Sequence, residues 1–480
     1  MTAGRRLLLN IRALAVAKAA TLLGALVTAA WTARVLGPES FGVLGFGTSL
    51  MAWAALFVNL GLSTYAVREI ARDRAQVTVL AEHVLTLRVL LAVVVGTAYA
   101  AFVLTLDKSA LVRTVLLVQA VQLLGNALVL DFVYQATERM GVIASREIGT
   151  SLGSMVLVLL LVRGPEDAPI AAGITAGSLV INAALMLARF HRDFGRLRPR
   201  VDLKAWGAIL RPAAPMAVSA FAWAVFSHLD LVMLGFLRSE GEVGWYSSAV
   251  RVYVLSCTAG HIVMNAFLPQ LAAAYGDSGL VRRRMEDFAT AMLSAGFLVA
   301  AGGLALAPAI VALLFGPDYA PATDALRLLM VATALTYLNM VLGNPLMLWH
   351  RQTAYMAAIL GGGAVNAALN VVLIPRYGIE GAAVATVASV VASTAGMAWH
   401  HRKAVGRLYG GIAGRALLCA LVAMGGWGAL ERAIPEDAQP HALLTVLGGG
   451  IVIVGIYGAM AVLTGLIRPA RLRRLKGVTA

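Results

Sequence analysis

Charged side chains are scarce: Asp, Glu, Lys and Arg make up only 13% of the 480 residues, while 60% are hydrophobic. A globular surface needs far more polar cover, so a soluble domain built from this chain is excluded. Cysteine is nearly absent. Cys257 and Cys419 sit far apart, each inside an apolar run, which leaves no disulfide framework, zinc site or redox pair, and both read as small packing residues. No Gly-Lys-Ser/Thr phosphate loop occurs, and no connection could hold a nucleotide-binding fold, so direct use of ATP is not expected. Acids are sparse too. The connections LDKSA, RGPEDAP, GPDYAPATDA and ERAIPEDAQPH carry no His/Asp/Glu cluster of the kind a membrane glycosyltransferase or polymerase presents to water. The expectation is a non-enzymatic protein with no cofactor and no metal.

What the chain has in abundance is long apolar runs. They fall at about residues 10–35, 42–64, 84–105, 111–135, 144–162, 168–190, 211–236, 245–270, 288–315, 326–349, 354–374, 379–400, 414–431 and 441–467, most near the 20 residues of a bilayer-crossing helix. An all-α polytopic membrane protein of about fourteen transmembrane helices is predicted. Arg5 and Arg6 precede the first run as in a secretory signal, but the run is too long for one and reads as a retained first helix.

The net charge of +15 would suggest nucleic acid in a soluble protein, but here the cations fall in short connections between apolar runs. Arg68, Arg72, Arg74, Arg139, Arg146, the series from Arg189 to Lys204, Arg282 to Arg284, Arg351, Arg402, Lys403, Arg407 and the tail from Arg468 to Lys476 lie on one side. Arg34, Lys108, Arg113, Arg163, Arg238, Arg327, Arg376 and Arg432 are left for the other. Because positive loops stay in the cytoplasm, both termini are expected inside, with the basic clusters acting as topology signals and anchors to anionic lipid.

Residues 211–255 read as two spanning helices joined by the turn RSEGEVG, with Asp230 and Arg251 at matched depth on neighbouring helices. A charge at the bilayer centre costs about 2.5–3.5 kcal/mol on insertion scales, so both are expected to face the protein interior. Two readings stand: a structural ion pair, or a transport site. Other intramembrane polar residues add candidates. Lys18 lies well past the start of the first helix and could snorkel or face a cavity; Arg88 sits near a helix end and is expected to snorkel. His228 points away from Asp230, and His261 lies about three turns from Arg251. Gln119, Gln122 and Asn126 form a stripe on the fourth helix, and Asn339 and Asn344 mark the tenth. Such stripes bond a neighbouring helix more often than they line a sugar-accommodating cavity. The cavity candidates are Lys18, Arg251, Asp230, His261, Gln122, Asn126 and Asn339.

An internal echo organises the chain. At an offset of 210 residues, Pro165 matches Pro375, Ala172 matches Ala382, His191 matches His401 and Arg192 matches Arg402; a second correspondence sets VLGPESFG against MLGFLRSEGEVG. Both pairs share one predicted orientation, so two parallel six-helix repeats are expected, at 1–204 and 205–407, with residues 408–480 supplying two further helices and a basic cytoplasmic tail. Glycines at 42, 45 and 47 and at 361–363 would let helices approach closely.

Taken together, ARVLGPESFGVLGFGTSLMAWAALFVNLGLSTYAVREIARD, DFVYQATERMGVIASREI, HLDLVMLGFLRSEGEVGWYSSAVRV, FLPQLAAAYGDS, LLFGPDYAPATDALRLL and RYGIEGAAVATVASVV resemble the Wzx-type oligosaccharide flippases of the multidrug/oligosaccharidyl-lipid/polysaccharide exporter superfamily. The resemblance covers helices one to twelve. It implies two six-helix bundles facing each other as a V, alternating access, and an undecaprenyl-diphosphate-linked sugar repeat unit as cargo in the inner membrane. Membrane lipids, a polysaccharide polymerase and a chain-length regulator are the implied partners, and nucleic acid is not. A pyrophosphate cannot cross hydrocarbon bare, so such a protein must offer it a cationic, wet interior, a role open to Lys18 and Arg251. The peptidoglycan-precursor flippase, which shares the fourteen helices, is the alternative, followed by a drug exporter.

Overall fold

The structure, a computed structural model, describes residues 3–406, 408–434 and 441–467, with the side chains of 3–23, 222, 223, 225 and 226 left out. Among the described residues every regular element is helical. The helices are α1 (Ala3–Asn59), α2 (Leu62–Arg72), α3 (Val77–Thr105), α4 (Ala110–Leu128), α5 (Asp131–Ala136), α6 (Met140–Leu161), α7 (Ala168–Phe194), α8 (Leu203–Leu237), α9 (Glu240–Ala273), α10 (Ser278–Ala305), α11 (Ala307–Leu314), α12 (Ala322–Leu348), α13 (Gln352–Val405), α14 (Gly410–Ala433) and α15 (Ala442–Leu463). Eleven of the described helices are long and apolar enough to cross a membrane, against the fourteen expected from the sequence.

Two of those eleven are interrupted, and the cause is local. In α1 the backbone leaves helical geometry at Gly37 (φ 72°, ψ 171°), immediately before Pro38, which has no N–H to give the preceding turn. In α13 the break falls at Gly378 (φ 54°, ψ −126°), three residues after Pro375. Each break marks the end of one apolar run and the start of the next in the sequence.

The chain divides into two compact units, Met1–Gly244 and Trp245–Ala480. In the first, α1 packs on α8, α4 and α6, and α4 packs on α7. Leu62, Ile70, Val84, Phe132, Tyr134, Phe190 and Trp206 fill a core under α2, α3, α5, α7 and α8. Glycine is required where α1 meets the start of α9: a Cβ on Gly42 would fall on the carbonyl of Glu240, and one on Gly244 on the carbonyl of Pro38. The turn between α8 and α9 is capped from its own sequence, SEGE. Ser239 Oγ accepts the N–H of Glu242 at 3.3 Å, and Arg238 Nε donates to Glu242 Oε2 at 2.8 Å.

In the second unit α12 packs on α13 and α10, and α14 and α15 join α10 in one core that includes Met292, Tyr337, Met397, Cys419, Trp427 and Tyr457. Both cysteines are free thiols. Large apolar side chains cover the outside of these helices, reaching 74% exposure at Ile451 and 79% at Leu463. Water would penalise that arrangement, whereas hydrocarbon makes it neutral, because the helices satisfy their own backbone hydrogen bonds.

Candidate functional site

Asp230 sits half-buried on α8, within electrostatic reach of His228 two residues earlier. Gln119 and Gln122 are both buried on α4. Gln119 Nε2 donates to the Leu44 carbonyl at 3.3 Å, tying α4 to α1, the helix-to-helix role common for such a stripe. Gln119 Oε1 and Gln122 Nε2 are nevertheless buried without a hydrogen-bond partner among the described residues, as is the hydroxyl of Tyr99 on α3. The α3–α4 hairpin is antiparallel and Gly96 faces Leu123, which brings Tyr99 level with Gln119. Three buried polar atoms thus lie within about one helical turn of each other in depth and retain hydrogen-bonding capacity.

Arg88 corrects the sequence reading. It does not snorkel: it is 6% exposed, and its guanidinium donates to the carbonyls of Val129, at 3.1 Å, and of Asn126. The reason lies in α4, which stops at Leu128 and leaves carbonyls with no helical donor in an apolar setting, and a five-donor fork satisfies two of them. Asn126 is therefore engaged through its backbone, and its side chain is half-buried. Lys18 lies among the residues whose side chains are outside the described ones.

Two further charges are buried: Arg146, which the sequence reading set in a connection but which lies within α6, and Glu82, which that reading did not single out. Arg146 on α6 pairs with Asp131 at 2.9 Å and bonds the side-chain amide of Asn182, joining α5, α6 and α7. Glu82 on α3 is 4% exposed and pairs with Arg200 at 2.7 Å. For Arg146 the available signal was a charge standing inside an apolar run, 144–162; Glu82 lies just outside one. That signal was applied to Asp230 and Arg251 but not to positions nearer the ends of helices.

In the second unit Arg251 stands on α9, accessible on the unit's surface, with the buried Tyr319 in its electrostatic reach. The same helix is joined to the same loop by Trp245 Nε1, which donates to the Asp318 carbonyl at 2.9 Å. Burial pushes the Tyr319 phenol well above its ordinary pKa, while Arg251 pulls the other way and loses, so Tyr319 stays neutral at physiological pH. Below Arg251 a ladder of neutral polar contacts follows α9. Tyr253 Oη and Thr336 Oγ1 lie 3.2 Å apart, and Tyr337 Oη donates to the Ser256 carbonyl at 2.9 Å. His261 is exposed, its Nδ1 2.9 Å from the Cys257 carbonyl of its own helix. Asn339 Nδ2 donates to the hydroxyls of Ser393 at 3.0 Å and Thr394 at 3.3 Å, locking α12 to α13. Asn344 bonds its own helix at the Met340 carbonyl. Among the described residues no group of His, Cys, Asp and Glu comes together as a metal site.

Helices long and apolar enough to cross a membrane, apolar outer faces and helix breaks at glycine are the build of a polytopic membrane protein. The model of the polysaccharide biosynthesis protein family matches residues 7–274, more than half of the chain, and the protein belongs to that family. It is 23% identical over 360 residues to a protein of Escherichia coli strain K12 named "Putative O-antigen transporter", covering 73% of this chain and 86% of that one. A second relative, "Probable low-salt glycan biosynthesis flippase Agl15" of Haloferax volcanii, is 25% identical over 181 residues, 37% of this chain and 38% of its own. Among solved structures the lipid II flippase MurJ in an inward closed conformation has a TM-score of 0.77 at 11% identity, covering 94% of this chain and 98% of that one. An inward-facing multidrug transporter of the MATE family and MOP superfamily has a TM-score of 0.63 at 17% identity, covering 81% and 95%. These two likenesses show the fold alone.

Proposed function

We infer that the protein is a flippase that moves lipid-linked oligosaccharide across a membrane for polysaccharide biosynthesis. The observation that carries this is the family match over residues 7–274 together with a glycan-transporter relative aligned over 86% of its length. Its finer content is a proposal: the cargo is an undecaprenyl-diphosphate-linked repeat unit, the membrane is the inner membrane, and the positive connections and both termini face the cytoplasm. Counting each kinked helix, α1 and α13, as two crossings and including α8 gives the fourteen spans expected. Six-helix repeats at 1–204 and 205–407 with residues 408–480 appended are proposed on the same footing. Working partners would include a polysaccharide polymerase and a chain-length regulator.

Within this reading Arg251 receives the pyrophosphate, since a guanidinium matches two phosphate oxygens at once and stays charged in a low-dielectric setting. Asp230 competes with the cargo for Arg251 at one stage of the cycle, because transport coupling requires contacts that differ between two states. Lys18 is proposed as the corresponding cation of the first repeat, and the spare hydrogen-bonding capacity at Tyr99, Gln119 and Gln122 suits sugar hydroxyls. The fold likeness to a lipid II flippase does not select that cargo. Expression in two strains separates the two, one lacking its repeat-unit flippase and one depleted of its peptidoglycan-precursor flippase. The account expects surface polysaccharide restored in the first and no growth rescue in the second; the reverse outcome would transfer the assignment to lipid II.

A further inference from the structure

Between α7 and α8, residues 195–202 run without helix along the first turns of α3, and side chains of that helix strap them down. The N–H of Arg198 donates to Glu82 Oε1 at 2.9 Å, the N–H of Arg200 donates to Thr86 Oγ1 at 3.1 Å, and Arg200 Nε meets Glu82 Oε2 at 2.7 Å. Behind the strap lies a cavity of about 310 Å³. Its walls are aliphatic, with Leu85 and Val89 from α3, Leu128 from the end of α4 and Leu187 from α7, while His191 and Arg198 stand on it as basic groups.

Both the chemistry and the position of this cavity narrow the occupant. Aliphatic walls offer nothing to the hydroxyls of a sugar or the edges of a base, but they match a hydrocarbon chain. The one acid on the cavity, Glu82, is already neutralised by Arg200 and by a backbone N–H. Arg198, on the cavity, has no acid within ion-pair distance among the described residues, so the lining carries net positive charge. The cavity also sits where α3 begins and where α4 and α7 end, the level at which a membrane helix bundle meets headgroups. Basic pockets between membrane helices at that level take anionic headgroups.

We propose that this cavity holds an acyl chain of an anionic phospholipid from the surrounding bilayer, with the lipid phosphate bound by Arg198 and His191. The chain fills a space that side chains leave empty, and the phosphate gives the strapped segment a second anchor besides Glu82. This inference is independent of the cargo.

Native mass spectrometry of the purified full chain with phosphatidylglycerol, phosphatidylcholine or a polyprenyl phosphate tests it. A single interfacial cation contributes about 1 kcal/mol of attraction, so the unaltered protein is expected to hold phosphatidylglycerol about fivefold better than phosphatidylcholine. Arg198→Gln, at an exposed position where folding is not at issue, should abolish that preference. Val89→Phe should lower retention of both lipids by filling the cavity, and Arg415→Gln, an exposed arginine of the second unit, should change neither. Equal retention of the two lipids by the unaltered protein, or an unchanged preference in Arg198→Gln, would overturn the site. Displacement of phosphatidylglycerol by equimolar polyprenyl phosphate would overturn the assignment to a bilayer lipid.

Discussion

The two units bury different chemistry. In the first, the fully buried polar side chains include three charged ones, Glu82, Arg88 and Arg146, each fixing a helix end or a connection. Among the described residues of the second they are Ser247, Ser248, Thr333, Asn366, Asn370, Ser389, Ser393, Thr394 and His401, with no Asp, Glu, Lys or Arg among them. The contrast follows from how the helices are interrupted. The first unit breaks α4 from α5 and inserts the irregular segment after α7, which leaves buried carbonyls and N–H groups that only long charged side chains reach. The second closes α12 against α13, and the two limbs of α13 against each other, through short hydroxyl and amide bonds, such as Asn339 to Ser393 and Ser389 Oγ to the Gly362 carbonyl at 2.8 Å. Among the described residues, fully buried charge that serves structure is thus concentrated in the first unit.

Substitutions can break that contrast. The largest effect is expected for Arg146→Leu, which leaves Asp131 facing an apolar replacement. Losing one member of a buried pair costs about 3–5 kcal/mol, and the partial exposure of Asp131 places this case near 3 kcal/mol or below. The fraction of monodisperse protein after graded heating in detergent should fall accordingly. Arg88→Leu comes next, at about 2 kcal/mol, because the carbonyls of Asn126 and Val129 lose their donor in a buried setting. Hydrogen exchange should rise at the end of α4 and little elsewhere. For the second unit, Asn339→Ala is expected to cost only about 0.5–1 kcal/mol, the usual worth of a neutral bond between membrane helices. A loss there as large as that at Arg146 would erase the distinction. The smallest effect belongs to Asp324→Ala, whose 2.8 Å pair with Arg327 is exposed on both sides; no more than about 0.5 kcal/mol is expected, within the scatter of a thermal assay.

Much of this architecture could be read from the chain itself. Apolar run lengths give the helices, and the two kinks fall where Pro38 and Pro375 interrupt them. α7 begins at Ala168 and ends at Phe194, while the second limb of α13 follows the break at Gly378 and ends at Val405. Ala172 and Ala382 are both buried at matching places, whereas His191 is exposed and His401 is buried with Nδ1 3.0 Å from the Leu342 carbonyl. The fate of Arg88 was not legible. Its distance from a helix end suggested escape to water, but what decides is the premature end of α4, a break the apolar run passes through without punctuation. Glu82 was hidden for a similar reason, since its partner lies more than a hundred residues away on a segment that composition marks only as basic.

The central claim is that Arg251 carries cargo rather than structure. Its direct test is flipping of a labelled polyprenyl-diphosphate oligosaccharide in vesicles reconstituted with the purified chain, comparing Arg251→Ala, Arg251→Lys and the double change Asp230→Leu with Arg251→Leu at matched protein. A charge-assisted contact to phosphate accounts for about 1.5–3 kcal/mol, so Arg251→Ala should slow flipping roughly 10- to 100-fold with the thermal profile unchanged. Arg251→Lys should recover part of the rate, and the double variant should stay slow. A double variant that flips at the full rate, or an Arg251→Ala protein that flips normally, would contradict the account and return the pair to a structural role.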